Sequence, residues 1–148
     1  MKTKALFVAL ALITTQSAYS TTATDVFPGK EDWAVLKGEK VRKGTIAATI
    51  NNIKRLDDLM THTGSEAEIR DIIKDQNTLS RGLFLTDFLE MQPVINWLQD
   101  PKRPGKVLVA VLVLQASPEL LTDQIRVRLQ DFLQEGHPLL KDEIRKAL

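Results

Sequence analysis

VLVAVLVL, Val107 to Leu114, is the stretch whose reading decides the fold. Its eight consecutive apolar residues contain no polar position by which a period of two could be told from one of 3.6. Its four valines suit a buried strand. A strand, however, must pair its backbone N–H and C=O groups with a neighbour, and no other segment offers a convincing one. The run therefore reads as a buried helix and the fold as all-α. The expected architecture is an irregular multi-helix bundle, with a short stack of armadillo- or HEAT-like helical pairs as the alternative.

The segments on either side support helices. After the run, Ser117-Pro118-Glu119 combines a serine cap, a first-turn proline and an early acid, and so predicts a helix start. Leu121, Ile125, Leu129 and Phe132 stripe that helix, and Gly136 closes it. Pro138 opens a last helix with Leu140, Ile144 and Leu148 on one face. Before the run, Pro93 leads Val94, Ile95, Trp97 and Leu98, and Asp100-Pro101 stops them. Val41 to Met60 reads as a long amphipathic helix with Ile46, Ile50, Ile53 and Met60 buried, Ala47 and Leu56 beside them, and Asn51, Asn52, Lys54, Arg55 and Asp58 elsewhere on the wheel. Gly64 ends it, and Ser65-Glu66-Ala67-Glu68 is a capping-box pattern for a helix that buries Ile69, Ile72 and Ile73. Phe84 and Phe88 share a helical face, with Gly82 read as a break or bend before them. Lys30 to Leu36 reads as a short helix carrying Trp33 and closed by Gly38. Trp97-Leu98-Gln99-Asp100 and Phe132-Leu133-Gln134-Glu135 echo each other 35 positions apart, a repeat-like spacing that motivates the helical-pair alternative.

The first 20 residues have a separate character. Lys2 and Lys4 precede the apolar run Ala5 to Ile13, and Ala18-Tyr19-Ser20 places small residues at the −3 and −1 positions of a cut after Ser20. This is the layout of a secretory signal peptide, and the run is too short to span a bilayer. The expectation is an exported protein, periplasmic or secreted. It has a signal over 1–20, a flexible segment over 21–29 and one helical domain over 30–148. Cleavage leaves 128 residues of the 148, with 18 basic residues facing 19 acidic ones. Such a balance gives no whole-molecule field towards nucleic acid or an anionic membrane. Neither partner is expected, nor stable membrane insertion after signal removal. With no cysteine, disulfides and thiol chemistry are excluded.

Catalytic signals are absent from the pattern. There is no G-x-S-x-G, no S-x-x-K and no glycine-rich loop after a strand. Asp57 and Asp58 are adjacent and diverge by about 100° on a helix. Asp58 and His62 are four apart and share a face, but they are two ligands without a third, so no metal or cofactor is expected. His62 reads as a helix-end residue facing the C-terminal dipole, and His137 as a cap. Two basic segments are left as contact sites. Lys102, Arg103 and Lys106 lie on the turn PKRPGK, whose two prolines limit the entropy lost on binding. Trp33 with the basic cluster Lys37, Lys40, Arg42 and Lys43 around Gly38 forms a second. These features imply a non-catalytic protein acting on another protein, as an inhibitor or immunity factor, an adaptor or a holdase. A carrier of a small apolar ligand, walled by Val107 to Leu114, is the alternative. A small hydrolase using Asp58 and His62 is the second.

Overall fold

The computed structural model describes residues 33–62 and 64–148. The expected signal over 1–20, the segment over 21–29 and residues 30–32 lie outside the described residues. Strand β1 (Trp33–Leu36) and strand β2 (Glu39–Arg42) come first. Seven helices follow among the described residues: α1 (Thr45–Thr61), α2 (Glu66–Leu85), α3 (Phe88–Met91), α4 (Val94–Trp97), α5 (Pro104–Ala116), α6 (Asp123–Glu135) and α7 (Pro138–Ala147). A single 3-10 turn, Pro118–Leu120, precedes α6.

VLVAVLVL is a helix, as read. It forms the body of α5, and every residue from Val107 to Leu114 is at most 1% exposed. Helices α1, α2, α4 and α7 all pack on it, and α6 packs on α7. One central helix touching four others makes this an irregular all-α bundle. A stack of pairs would bring each unit against its sequence neighbours only. A helix apolar on every side is stable only under such a cover.

The sequence reading needs correction at the first elements. Residues 33–36 are a strand, not the end of a helix. They pair antiparallel with β2 in the register Trp33↔Arg42, Ala34↔Val41, Val35↔Lys40 and Leu36↔Glu39. Lys37 and Gly38 both have positive φ (51° and 83°). This is the two-residue hairpin turn whose twist matches its strands, so Gly38 turns a hairpin and does not close a helix. Helix α1 also starts at Thr45, not Val41, because the chain reverses through Gly44 at φ 81°. Val41 stays on β2 and is buried there.

The buried face of α1 is rotated from the expected stripe. It comprises Thr45, Ala48, Thr49, Asn52, Ile53, Leu56 and Leu59. Ile50, expected inside, is 43% exposed, and Asn52, expected outside, is 0% exposed. A polar network explains the rotation. Asn52 Nδ2 donates to Gln76 Oε1 (3.1 Å) and Gln76 Nε2 donates to Thr49 Oγ1 (3.1 Å), so buried amides of α1 and α2 satisfy one another.

Helix α2 runs through Gly82 without a break. A Cβ there would lie 3.1 Å from Thr45 Cγ2 and 3.3 Å from Val41 Cγ1, so the glycine lets α2 approach β2 and α1 closely. Phe84 and Phe88 do not share a helix, since α2 ends at Leu85 and Asp87 adopts φ 56° before α3. Helix α2 begins after Ser65, as read, but without a side-chain cap bond. Helix α6 begins later than Ser117. Its cap is Thr122, whose side chain accepts from Ile125 N–H, while Ser117 Oγ accepts from Arg81. Ile125, Leu129 and Phe132 are buried as expected, and Leu121 is half-buried ahead of the helix. His137 caps α7, its Nδ1 accepting from Leu139 N–H (3.2 Å). Leu140 and Ile144 are buried under α7, but Leu148 is 40% exposed.

Candidate partner-binding surface

The surface is organised by the crossing of α1 and α5. Pro104 occupies the first helical position of α5, and the N–H groups of the next two residues have no partner inside the helix. A residue of another helix supplies one. Asp57 of α1 accepts from Gly105 N–H (2.9 Å) and Lys106 N–H (3.2 Å) through Oδ1, and from Arg103 Nε (2.9 Å) through Oδ2. The helices approach closely because residue 105 has no side chain. A Cβ there would stand 2.4 Å from Asp57 N and 2.6 Å from Leu56 Cβ. The adjacent carboxylates therefore diverge, as expected: Asp57 turns into the crossing and Asp58 points to solvent.

Clamped in this way, the PKRPGK turn sends Arg103 and Lys106 to the edge of an open groove of about 410 Å³. Its floor is apolar, formed by Ile50, Ile53, Phe88 and Trp97. Phe88 meets Trp97 edge to face, with ring centroids 6.0 Å apart. Lys54 completes the edge, so three cations and no carboxylate line the groove. A second groove of about 440 Å³ follows along α1, from Ile50 back to Thr45. Val41, Ile46, Ala47 and Ile50 give it an apolar wall, and its charged residues are Arg42 and Lys43, again without a carboxylate. Ile50 belongs to both grooves.

Of the residues singled out in the sequence, Arg103 and Lys106 thus meet on one groove, and Lys43 lies on the next. Lys102 lies outside both, its N–H held by Asp100 Oδ1 (3.0 Å). Trp33 and Lys40 also stand apart. They border a depression between the hairpin and α2 that contains Glu39 as well as Arg81, and the Arg42 guanidinium covers the Trp33 ring at 4.9 Å. Arg42, from the same basic cluster, lies beside Lys43 on the second groove, whereas sequence reasoning missed Lys54 and Ile50. Nothing local marks Lys54, because its nearness to residues 103 and 106 is created by the helix crossing.

Arg81 is committed to a structural clasp. It donates to Glu39 Oε1 (3.0 Å) on β2, to Glu119 Oε1 (2.7 Å) on the 3-10 turn and to Ser117 Oγ (3.1 Å). Hydrogen bonding to Glu39, then to Glu119, raises its pKa, and the bond from Arg81 holds the Glu119 carboxyl below the ordinary range.

The remaining sites have other compositions. Asp58 Oδ1 lies 3.3 Å from His62 Nδ1, so the expected pair forms, but on an open surface with side chains 63% and 78% exposed. His62 Nδ1 also lies 3.1 Å from the Asp58 carbonyl at the end of α1, the helix-end placement expected. Among the described residues no three His, Asp or Glu side chains gather into a metal-holding group. His137 borders a 510 Å³ depression together with Arg128, Asp131 and Glu135, a mixed-charge wall that selects neither sign of ligand. Val107–Leu114 lines none of these grooves and belongs wholly to the core. No helix among the described residues is long and apolar enough to cross a membrane. No family model, curated protein or solved structure matches the chain.

Proposed function

We propose that the chain is an exported, non-catalytic binding protein that holds an acidic, partly apolar face of another protein at the groove beside Trp97. The observation that carries this reading is the groove's composition. Four apolar side chains form the floor, Lys54, Arg103 and Lys106 edge it, and no carboxylate lines it. An apolar floor supplies affinity, and charges of one sign at the rim supply orientation and selection against basic partners. The rim is also preorganised. Asp57 fixes the start of α5 and the Arg103 guanidinium, so little ordering cost is left for the binding step. A macromolecular partner suits the open side of the groove, because it brings its own polar outer surface, whereas a small apolar ligand would leave an apolar side in water.

The test is capture from a periplasmic extract by the wild-type protein and by a Lys54→Glu, Lys106→Glu double variant. Lys54 is exposed and Lys106 half-buried at the groove edge, and Arg103 is left in place because Asp57 depends on it. The wild type is expected to retain a partner that the variant loses, with identical thermal unfolding of the two. Equal capture by both proteins would remove this groove from the interaction. Turnover of a substrate that disappears in a His62→Ala variant would overturn the non-catalytic reading.

A further inference from the structure

We infer that the partner segment is an acidic amphipathic helix that lies along α1 and fills both grooves, crossing Ile50; this rests on the binding reading above and adds the chemistry and shape of the ligand. The first support is continuity. The grooves are not separate features, since one is walled by residues 45–50 of α1, the next by residues 49–54, and Ile50 is common to both. Their centres are therefore displaced by roughly one helical turn, about 6 Å along the axis at 1.5 Å per residue. Apolar residues at i and i+4 of a partner helix have the same spacing.

The second support is charge. The two grooves together present Arg42, Lys43, Lys54, Lys106 and Arg103, the last already paired with Asp57, and neither is lined by an aspartate or glutamate. Basic and acidic residues are close to balanced over the whole chain, whose formal net charge is +1, so this one-sided strip is a local property of the α1 surface. It complements a ligand with carboxylates at both ends and flanks and an apolar row between them. The third support is backbone chemistry. The groove beside Trp97, with Phe88 and Trp97 on its apolar floor, is lined by side chains of helices and loops and offers no strand edge, whereas the second groove takes in Leu36 of β1 and Val41 and Arg42 of β2. An extended peptide would press unpaired N–H and C=O groups onto an apolar floor, whereas a helix arrives with its backbone bonds already made. Ile50 fits this geometry. It is the most exposed apolar residue of α1 and would sit between two successive apolar residues of the partner, as a ridge enters a groove.

The test uses the 15N-labelled protein and a synthetic helical peptide of about four turns, with leucine on one face and glutamate elsewhere. Amide shifts are expected at Gly44 and Thr86 beside one groove and at Gln92 and Lys106 beside the other, all at a common affinity. Replacing every glutamate by lysine should weaken binding about tenfold or more. Ile50→Glu should do the same while leaving the unfolding midpoint unchanged, because residue 50 is on the surface. Shifts confined to the groove beside Trp97 would overturn the spanning helix and leave the binding reading intact. Equal binding of the glutamate and lysine peptides would overturn the acidic ligand. Binding to phosphatidylglycerol vesicles in place of the peptide would assign the strip to an anionic membrane and overturn both readings.

Discussion

Gly105 and Asp57 are the two residues on which the arrangement depends most, and for opposite reasons. One contributes by having no side chain and the other by placing a carboxylate against another helix. Alanine improves on glycine as a helix former by about 1 kcal/mol. At residue 105 that gain is overridden, since the added carbon would lie 2.4–2.7 Å from the backbone and Cβ of residues 56 and 57. Neither neighbour is the end of a flexible side chain, so the helices must separate. Gly105→Ala is expected to cost about 2–3 kcal/mol in denaturant titration. A neutral or stabilising result would show that α1 and α5 do not cross as closely as described.

At the scale of elements, α1 and α2 are joined by an amide relay, and the hairpin is joined to the bundle by charge. Gln76 bonds both Asn52 and Thr49 in a fully buried setting. Gln76→Ala removes both bonds and opens a cavity, with an expected loss of about 2–4 kcal/mol. A loss below about 0.5 kcal/mol would mean that the polar seam does not join these helices. The Arg81 clasp behaves differently because it is exposed and screened. Its signature is a pH dependence. The bond from Arg81 lowers the folded-state pKa of Glu119 below its unfolded value. The stability it gives is therefore complete above the ordinary carboxylate range, and it is lost as pH falls through the lowered folded value. Stability curves of the wild type and Glu119→Gln should diverge at neutral pH and converge under acid. Parallel curves down to the acid limit would remove Glu119 from the clasp.

Across the whole molecule, what the sequence disclosed depended on how local each cause is. The central helix was legible because eight apolar residues without a partner strand leave a helix as the economical solution. Helix α7 was legible from its proline start, and α6 from its stripe of Ile125, Leu129 and Phe132. The hairpin was missed because Lys37-Gly38 is a weak turn signal, and a glycine after four residues also suits a helix end. The face of α1 was misread because Asn52 and Thr49 are stabilised by Gln76, more than 20 positions away. The grooves were half legible. Arg103, Lys106 and Lys43 stood out as charges, but Lys54 and Ile50 acquire meaning only once the helices cross. The reading of residues 1–20 as a signal makes a separate prediction. Intact-mass measurement of the exported protein should give a chain starting at Thr21, and a soluble cytoplasmic protein that keeps Met1 to Ser20 would overturn it.

The central position of α5 has a consequence in time. VLVAVLVL is covered on its remaining side only when α7, the last helix among the described residues, docks on it. Until then a valine-rich run with high β propensity is only partly covered, and its alternative to the helix is pairing with the same run of another unfolded chain. The helix that finishes the core therefore also ends the period in which the chain is most prone to aggregate, so damage to residues 138–147 should appear as lost yield as well as a lowered melting temperature.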